Sequence, residues 1–431
     1  MDVSDRPQQF VRCLCYSRCT CSRAGCKTVQ ELGLDVILKV KARLEQIAKI
    51  IYRSRSPPSS FTIQHPQHHQ LHSSINCSKE TIKMRLSLLS ACFGLVSSAL
   101  AHCPRSAATS NYNTTQWAPL PETAHGMTIP ATGYLTQHLG GGAYAILNGE
   151  YQSWFLVSDE GVIVMDCPPL FGRNCMYAIG NVTDIPVTHF VYSHAHADHA
   201  HGAVYWADAD VTFIAHELSK ERIIDVLNHG STPVPVPTVT FEHHMTLEVG
   251  NQTVELSYKG DNHAVGNIFI YAPQQKILAL IDVVFPGWVP FGELGASEYI
   301  PGWTKAHDQI LEYDFDWYIG GHVSRLGRRE DVEIQKEYVM DLKQITIEAV
   351  AASTPLIAQI TGPAAAANPE NAWAMTSAYG EWLTDYCEGP MNKKWVGRLG
   401  GADVYARLNC YKMIEAVRLD WGYLGPAGLR S

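Results

Sequence analysis

The chain is poor in charge: Asp, Glu, Lys and Arg make up only 17% of its 431 residues, and their balance is −9. With an isoelectric point near 6.1, it has no basic footprint of the kind that holds nucleic acid. It lacks a G-x-S-x-G nucleophile elbow, a Walker phosphate loop and a dinucleotide fingerprint, so serine hydrolysis, nucleotide binding and hydride transfer lose their usual signals. The longest apolar run, residues 86–101, counts about 16 apolar or small residues, short of the ~20 that a bilayer requires. What the chain does have is 46% hydrophobic residues, enough for a large core.

The charge is unevenly spread. Residues 1–83 carry 13 Lys and Arg against 6 Asp and Glu, a net of +7, which leaves −16 for the rest and marks a boundary. At that boundary Lys83-Met84-Arg85 precedes the apolar residues 86–96 and then Ala99-Leu100-Ala101, the layout of a secretory signal peptide cleaved after Ala101. The expectation is a secreted protein whose translation starts at Met84, with residues 1–83 a disordered or upstream extension. The alternative readings are a signal anchor with a basic cytoplasmic tail, or a cytoplasmic protein if 84–101 is not used. Residues 1–83 hold Cys13, Cys15, Cys19, Cys21 and Cys26, but their spacing lacks the paired knuckles of a zinc module. His65, His68, His69 and His72 lie in a Ser/Pro/Gln/His-rich stretch with no core pattern.

Downstream, Asn113, Asn181 and Asn251 each open an N-x-T glycosylation triplet. Five cysteines remain. Cys167–Cys175 and Cys387–Cys410 are the expected pairs in an oxidising compartment, with Cys103 left over; buried thiols are expected in a reducing one.

Residues 102–131 read as an extended leader. Strand-like runs follow at 143–147, 153–157 and 162–165, with Asp159-Glu160-Gly161 as a hairpin turn. Strand and helix then alternate: strand at 187–192 and 211–214, helix from His216 to Leu227, strand at 254–258, 268–271 and 277–281, and a long helical pattern over 329–352. Two β runs, each followed by helices, fit an α+β, four-layer αββα sandwich over 132–352. Residues 353–431 form a helical C-terminal extension, with helices expected at 372–386 and 404–420, that serves as packing, lid or homodimer surface.

The chemistry is concentrated in His194-Ala195-His196-Ala197-Asp198-His199, directly after the strand-like 187–192. In extended backbone His194 and His196 project to one side, while Asp198 and His199 swing round on the following turn. Imidazole and carboxylate suit zinc, and also iron or manganese. Three more candidates end apolar runs or follow them: His263 after 253–258, Asp282 after 277–281, and His322 after the Gly320-Gly321 that closes 316–319.

This H-x-H-x-D-H motif with a downstream His, Asp and His resembles the metallo-β-lactamase-fold hydrolases, over about residues 132–352. The resemblance implies a site for two divalent metal ions, zinc foremost. His194, His196 and His263 would hold one, Asp198, His199 and His322 the other, and Asp282 would bridge them with a water or hydroxide. His199 after Asp198, and Asp282 rather than Cys, resemble the glyoxalase II and lactonase branches and depart from the antibiotic-hydrolysing one. The implied activity is a metal-dependent hydrolase whose metal-bound hydroxide attacks the carbonyl of a small ester, lactone, lactam or thioester, with Asp198 also orienting the nucleophile. An iron-dependent oxygenase on the same fold and a non-enzymatic metal-binding protein are the competing readings. Asp166, at the end of a strand, is expected to orient a ligand imidazole or loop backbone, or to serve a turn. The apolar loop 285–291 either walls the substrate pocket or covers the core. The expected partner is a small molecule.

Overall fold

Residues 117–427 are described by a computed structural model. The signal-peptide reading of 84–101, the Cys and His groups before it, Cys103 and Asn113 lie outside the described residues.

Seven strands form the first sheet in chain order: β1 Leu135–Gly140, β2 Ala143–Leu147, β3 Gln152–Val157, β4 Val162–Met165, β5 Val187–Val191, β6 Thr212–His216 and β7 Val239–Phe241. The first four make an antiparallel meander, and β4 to β7 run parallel. Helix α1 Asn174–Gly180 links β4 to β5, the one-turn α2 Ala197–Ala200 follows β5, and α3 Glu217–Asn228 crosses from β6 to β7. The second sheet holds β8 His244–Val249, β9 Gln252–Ser257, β10 Phe269–Ala272, β11 Ile277–Ala279 and β12 Trp317–Ile319. It is antiparallel except for the β11–β12 pair. Helix α4 Ile300–Leu311 lies between β11 and β12, and α5 Arg329–Ser353 follows. Three further helices close the chain: α6 Ile357–Ala367, α7 Ala372–Trp395 and α8 Ala402–Leu419.

Side-chain alternation builds the four layers. Along β3 and β4, Trp154, Leu156, Ile163 and Met165 turn towards the second sheet, where they share a core with Val254, Leu256, Ile268 and Ile270. The intervening Phe155, Val162 and Val164 face the other way and pack with Phe171, Ile179 and Ile223 of the outer helical layer. On the far side Phe269, Leu278 and Tyr318 meet Trp303, Val332, Tyr338 and Leu342 of α4 and α5. Tyr379, Leu383, Met413 and Val417 of α7 and α8 belong to that same core. The C-terminal helices are therefore joined to the second sheet by apolar burial.

The strand and helix expectations are met with ends shifted by a few residues, and the αββα layering is observed. Sequence reading missed β1, β7 and β8, which are short or polar on one face, and it missed α1, α4 and α6. Helix α4 opens with Ile300-Pro301-Gly302, which reads as a turn; its buried face (Ile300, Trp303, Ala306, His307, Ile310) has helical spacing. Helix α7 extends beyond the expected 386, through Pro390 to Trp395.

The cysteine pairings divide. Cys387 of α7 and Cys410 of α8 are joined, as expected. Cys167 and Cys175 are corrected: both are free buried thiols. They lie in the apolar layer outside the first sheet, where burial pushes the Cys167 thiol well up and the neighbouring Cys175 thiol adds to the shift. The Cys387–Cys410 bond closes a loop with a sequence separation of 23, and chain-entropy arguments give such a link about 3 kcal/mol. Replacing both cysteines by Ala should lower the unfolding midpoint by several degrees. Peptide mapping should recover 387–410 as the cross-linked pair, and Cys167 and Cys175 as alkylatable after unfolding.

Candidate metal centre

Every candidate ligand sits on a loop leaving a strand. His194 and His196 follow β5, and Asp198 and His199 lie in the single turn of α2. His263 is between β9 and β10, Asp282 follows β11, and His322 follows β12. The loops of both sheets thus converge, and the seven side chains fall into two groups that share one member. His194, His196, His263 and Asp282 form the first; Asp198, His199, Asp282 and His322 form the second.

Asp282 is the hub. Its Oδ2 lies 3.2 Å from both His199 Nε2 and His263 Nε2 and 3.7 Å from His194 Nε2, while Oδ1 lies 3.1 Å from His322 Nε2. The carboxyl is buried, and burial opposes its ionisation, but His199, His322 and His263 outweigh that and hold it well below the usual carboxylate range. The backbone at Asp282 is left-handed, with φ 63°, as it is at Asp166 (54°) and Val323 (67°). Such strain in non-glycine residues gathers where surrounding structure holds a functional loop. The Asp282 N–H donates to Gly320 O (2.9 Å), and its carbonyl accepts the Trp303 indole N–H (3.1 Å).

The imidazoles are aimed by neighbours outside the cluster. Ser297 Oγ gives its proton to Leu294 O (2.7 Å), so it receives one from His263 Nδ1 at 3.3 Å, and Nε2 of His263 turns its lone pair inward. Ser193 Oγ lies 2.9 Å from His194 Nδ1 in the same way. Asp166 Oδ1 accepts the Ser193 N–H at 2.8 Å and fixes the backbone from which His194 projects. Its strained turn is the turn role; its bond to Ser193 is the orienting role. Burial pushes the Asp166 carboxyl up to about 6, opposed by His199 and Ser193. Gly321, at φ 90°, admits no side chain: a Cβ there would meet Ile281 at 2.6 Å and His199 at 3.0 Å.

The residues fit a bound cation. His194 Nε2 is buried with no hydrogen-bond partner. His263 Nε2 faces His196 Nδ1 at 2.9 Å, and His199 Nε2 faces His322 Nε2 at 3.2 Å, pairs of ring nitrogens whose lone pairs converge on one point. Burial, with the neighbouring imidazoles, pushes His194 well below its usual range, and burial brings His263 down to about 4, so both stay neutral and able to ligate. At His322 burial is outweighed by Asp282 and Asp198, which lift it to about 10. A cation there replaces a proton.

Three neighbours escaped sequence reading. The Tyr151 hydroxyl donates to Asp198 Oδ2 at 3.3 Å, and burial together with that carboxylate raises the phenol, which stays protonated. Glu298 Oε1 lies 3.9 Å from His196 Nε2, and its Oε2 lies 3.6 Å from Arg222. Gln152 accepts the Gly320 N–H and donates to the carbonyls of His322 and Arg325, tying the loop after β12 to β3. None of the three stands in a motif; only the fold brings them in.

Residues 147–322 match the model of the metallo-beta-lactamase superfamily. The match covers fewer than half of the chain's residues. A relative, the alpha subunit of 2,4-dinitroanisole O-demethylase from Nocardioides sp. (strain JS1661), is 30% identical over 200 residues, which are 45% of this chain. The chain spans 59% of that relative's length. A solved metallo-beta-lactamase from Pontibacter korlensis is 20% identical, with a TM-score of 0.42, over 48% of this chain and 99% of that one.

Asp166 gives a direct test of how the superfamily site is supported. Asp166→Ala leaves the buried Ser193 N–H without an acceptor and should cost about 1–3 kcal/mol in urea unfolding, together with weaker metal retention. Asp166→Asn keeps an acceptor oxygen and should cost distinctly less. Equal effects from the two would show that the bond to Ser193 does not matter.

Proposed function

We propose that this protein is a metal-dependent hydrolase of a small ester, lactone, lactam or thioester, nearer the glyoxalase II and lactonase branches than the antibiotic-hydrolysing one. The observation that carries the reading is Asp282, a buried carboxylate common to both ligand groups beside an open cavity. His194, His196 and His263 would hold one cation, Asp198, His199 and His322 a second, with Asp282 between them. Divalent cations supply Lewis acidity and bring the pKa of a water to about 7.

On this reading Asp198 orients the attacking water and takes up its proton. The hydroxyl of Tyr151 restrains the Asp198 carboxylate, and the apolar loop 285–291 keeps bulk water from the reacting bond. No Ser or Cys nucleophile is needed. The Nocardioides relative, named for O-demethylation of 2,4-dinitroanisole, supports chemistry at a carbon–oxygen bond. It also favours a second reading, an iron-dependent oxygenase, because the same His and Asp donors accept iron. Oxygen uptake that tracks turnover in iron-loaded protein would select the oxygenase.

Elemental analysis of protein prepared without chelator should find about two divalent metals per chain, as a two-metal site requires. One metal at full occupancy would remove the bridging role of Asp282. His196→Ala should lose metal and hydrolysis together. Asp198→Asn keeps shape and an oxygen ligand, and turnover across a panel of lactones, thioesters and aryl esters should fall at least about a hundredfold. Near-normal turnover by folded, metal-loaded Asp198→Asn would place the chemistry elsewhere.

A further inference from the structure

A cavity of 470 Å³ opens beside Asp198 and His322, within the size range of small-molecule sites (~300–1,000 Å³). Five of its twelve lining residues are Phe, Trp or Tyr: Tyr151, Phe285, Trp288, Phe291 and Tyr405. The rings continue into the ligand cluster: Phe291 stands 5.3 Å and Tyr151 4.4 Å from the His322 ring, centroid to centroid. Flat faces at such spacing suit stacking or edge contact with another ring.

The wall is pinned from outside. The Trp288 indole N–H donates to Ala124 O (3.0 Å), and the Val289 N–H donates to Gly400 O (3.0 Å). Asn409 of α8 donates to Pro290 O and accepts the Leu294 N–H, both at 2.9 Å. A wall held at both ends by buried hydrogen bonds is preformed, so its chemistry is selective as it stands.

Apart from His322 at the ligand end, its formal charges are acidic. Among the described residues, the ionisable groups lining the cavity other than tyrosine and His322 are Glu150 and Asp198; no Lys or Arg is present. Glu150 is exposed, at the cavity mouth, where it meets whatever part of a substrate extends away from the reacting bond. An anion at the mouth meets Glu150 with no Lys or Arg in the lining to offset it, and such like-charge juxtaposition acts against binding.

We propose that this cavity takes an uncharged aromatic substrate, an aryl ester whose ring lies against Phe285, Trp288, Phe291 and Tyr405, and that Glu150 discriminates against substrates carrying a carboxylate remote from the reacting bond. The aryl-ester part rests on the hydrolase reading above; the recognition of neutral rings does not. Water cleaves such an ester to a carboxylic acid and a phenol.

The test compares phenyl acetate with 4-carboxyphenyl acetate, using the full chain prepared with zinc and correcting each substrate for its rate with hydroxide in buffer. A parallel calorimetric titration compares acetophenone with 4-acetylbenzoate, which cannot be hydrolysed. The neutral member should be favoured at least about tenfold in both kcat/KM and Kd, and less so as salt is raised. Glu150→Lys, with its unfolding midpoint checked, should shrink that preference at least about fivefold. Equal treatment of neutral and carboxylated members, preference for the carboxylate, failure of acetophenone to bind, or an unchanged ratio in Glu150→Lys would each overturn the proposal. If neither ester is cleaved while acetophenone is still preferred, the hydrolase reading fails and the neutral-ring recognition stands.

Discussion

An ionised carboxylate buried at Asp282 constrains everything around it. Taking such a charge out of water is expensive unless positive charge or hydrogen-bond donors surround it. Here the surroundings are four imidazoles, brought from the loops after β5, β9 and β12 and from α2. They come from three separate segments of the chain, so the site exists only if both sheets are packed in register. The strained backbone at Asp282 and the glycine required at 321, where Ile281 and His199 leave no room for a Cβ, are local costs of that convergence, offset by the Gln152 hydrogen bonds and the apolar cores on both faces of each sheet.

The surrounding contacts show how two of the imidazoles, His194 and His263, are kept neutral and aimed. Serines at 193 and 297 fix the outward nitrogens of His194 and His263, and burial keeps those two rings from taking a proton. The opposite side of the cluster is more open and more acidic, with Asp198 half-exposed and Tyr151 against it. His194 and His263 are thus buried, while Asp198 and His322 line the cavity. That asymmetry suits a centre that grips on one side and meets substrate on the other.

The C-terminal helices give the substrate side its shape. They share the apolar core of the second sheet, and α8 reaches the loop 285–291 through Asn409 while Gly400, just before α8, pairs with the same loop. That loop both covers the core and lines the cavity. Phe285 and Val289 are buried in the structure and also line the cavity, while Trp288 and Phe291 are only partly covered.

The sequence by itself determined the candidate ligand positions and the layered fold. Six ligand-type positions clustered at strand ends, and a period of two in the strands against a helical period elsewhere, are local signals that survive without coordinates. Asp282 was legible for the same reason, as an acid closing an apolar run. Tertiary structure alone decided the rest. Tyr151 and Glu298 reach the cluster by juxtaposition across the fold, and a lone Tyr or Glu carries no periodic mark. Cys167 and Cys175, eight positions apart in a suggestive Pro-rich loop, remain thiols in the buried outer layer, whereas Cys387 and Cys410 meet because two packed helices bring them together. Spacing along a chain records what neighbouring residues can do; which distant side chains share a cavity depends on how the sheets and helices bury their apolar faces.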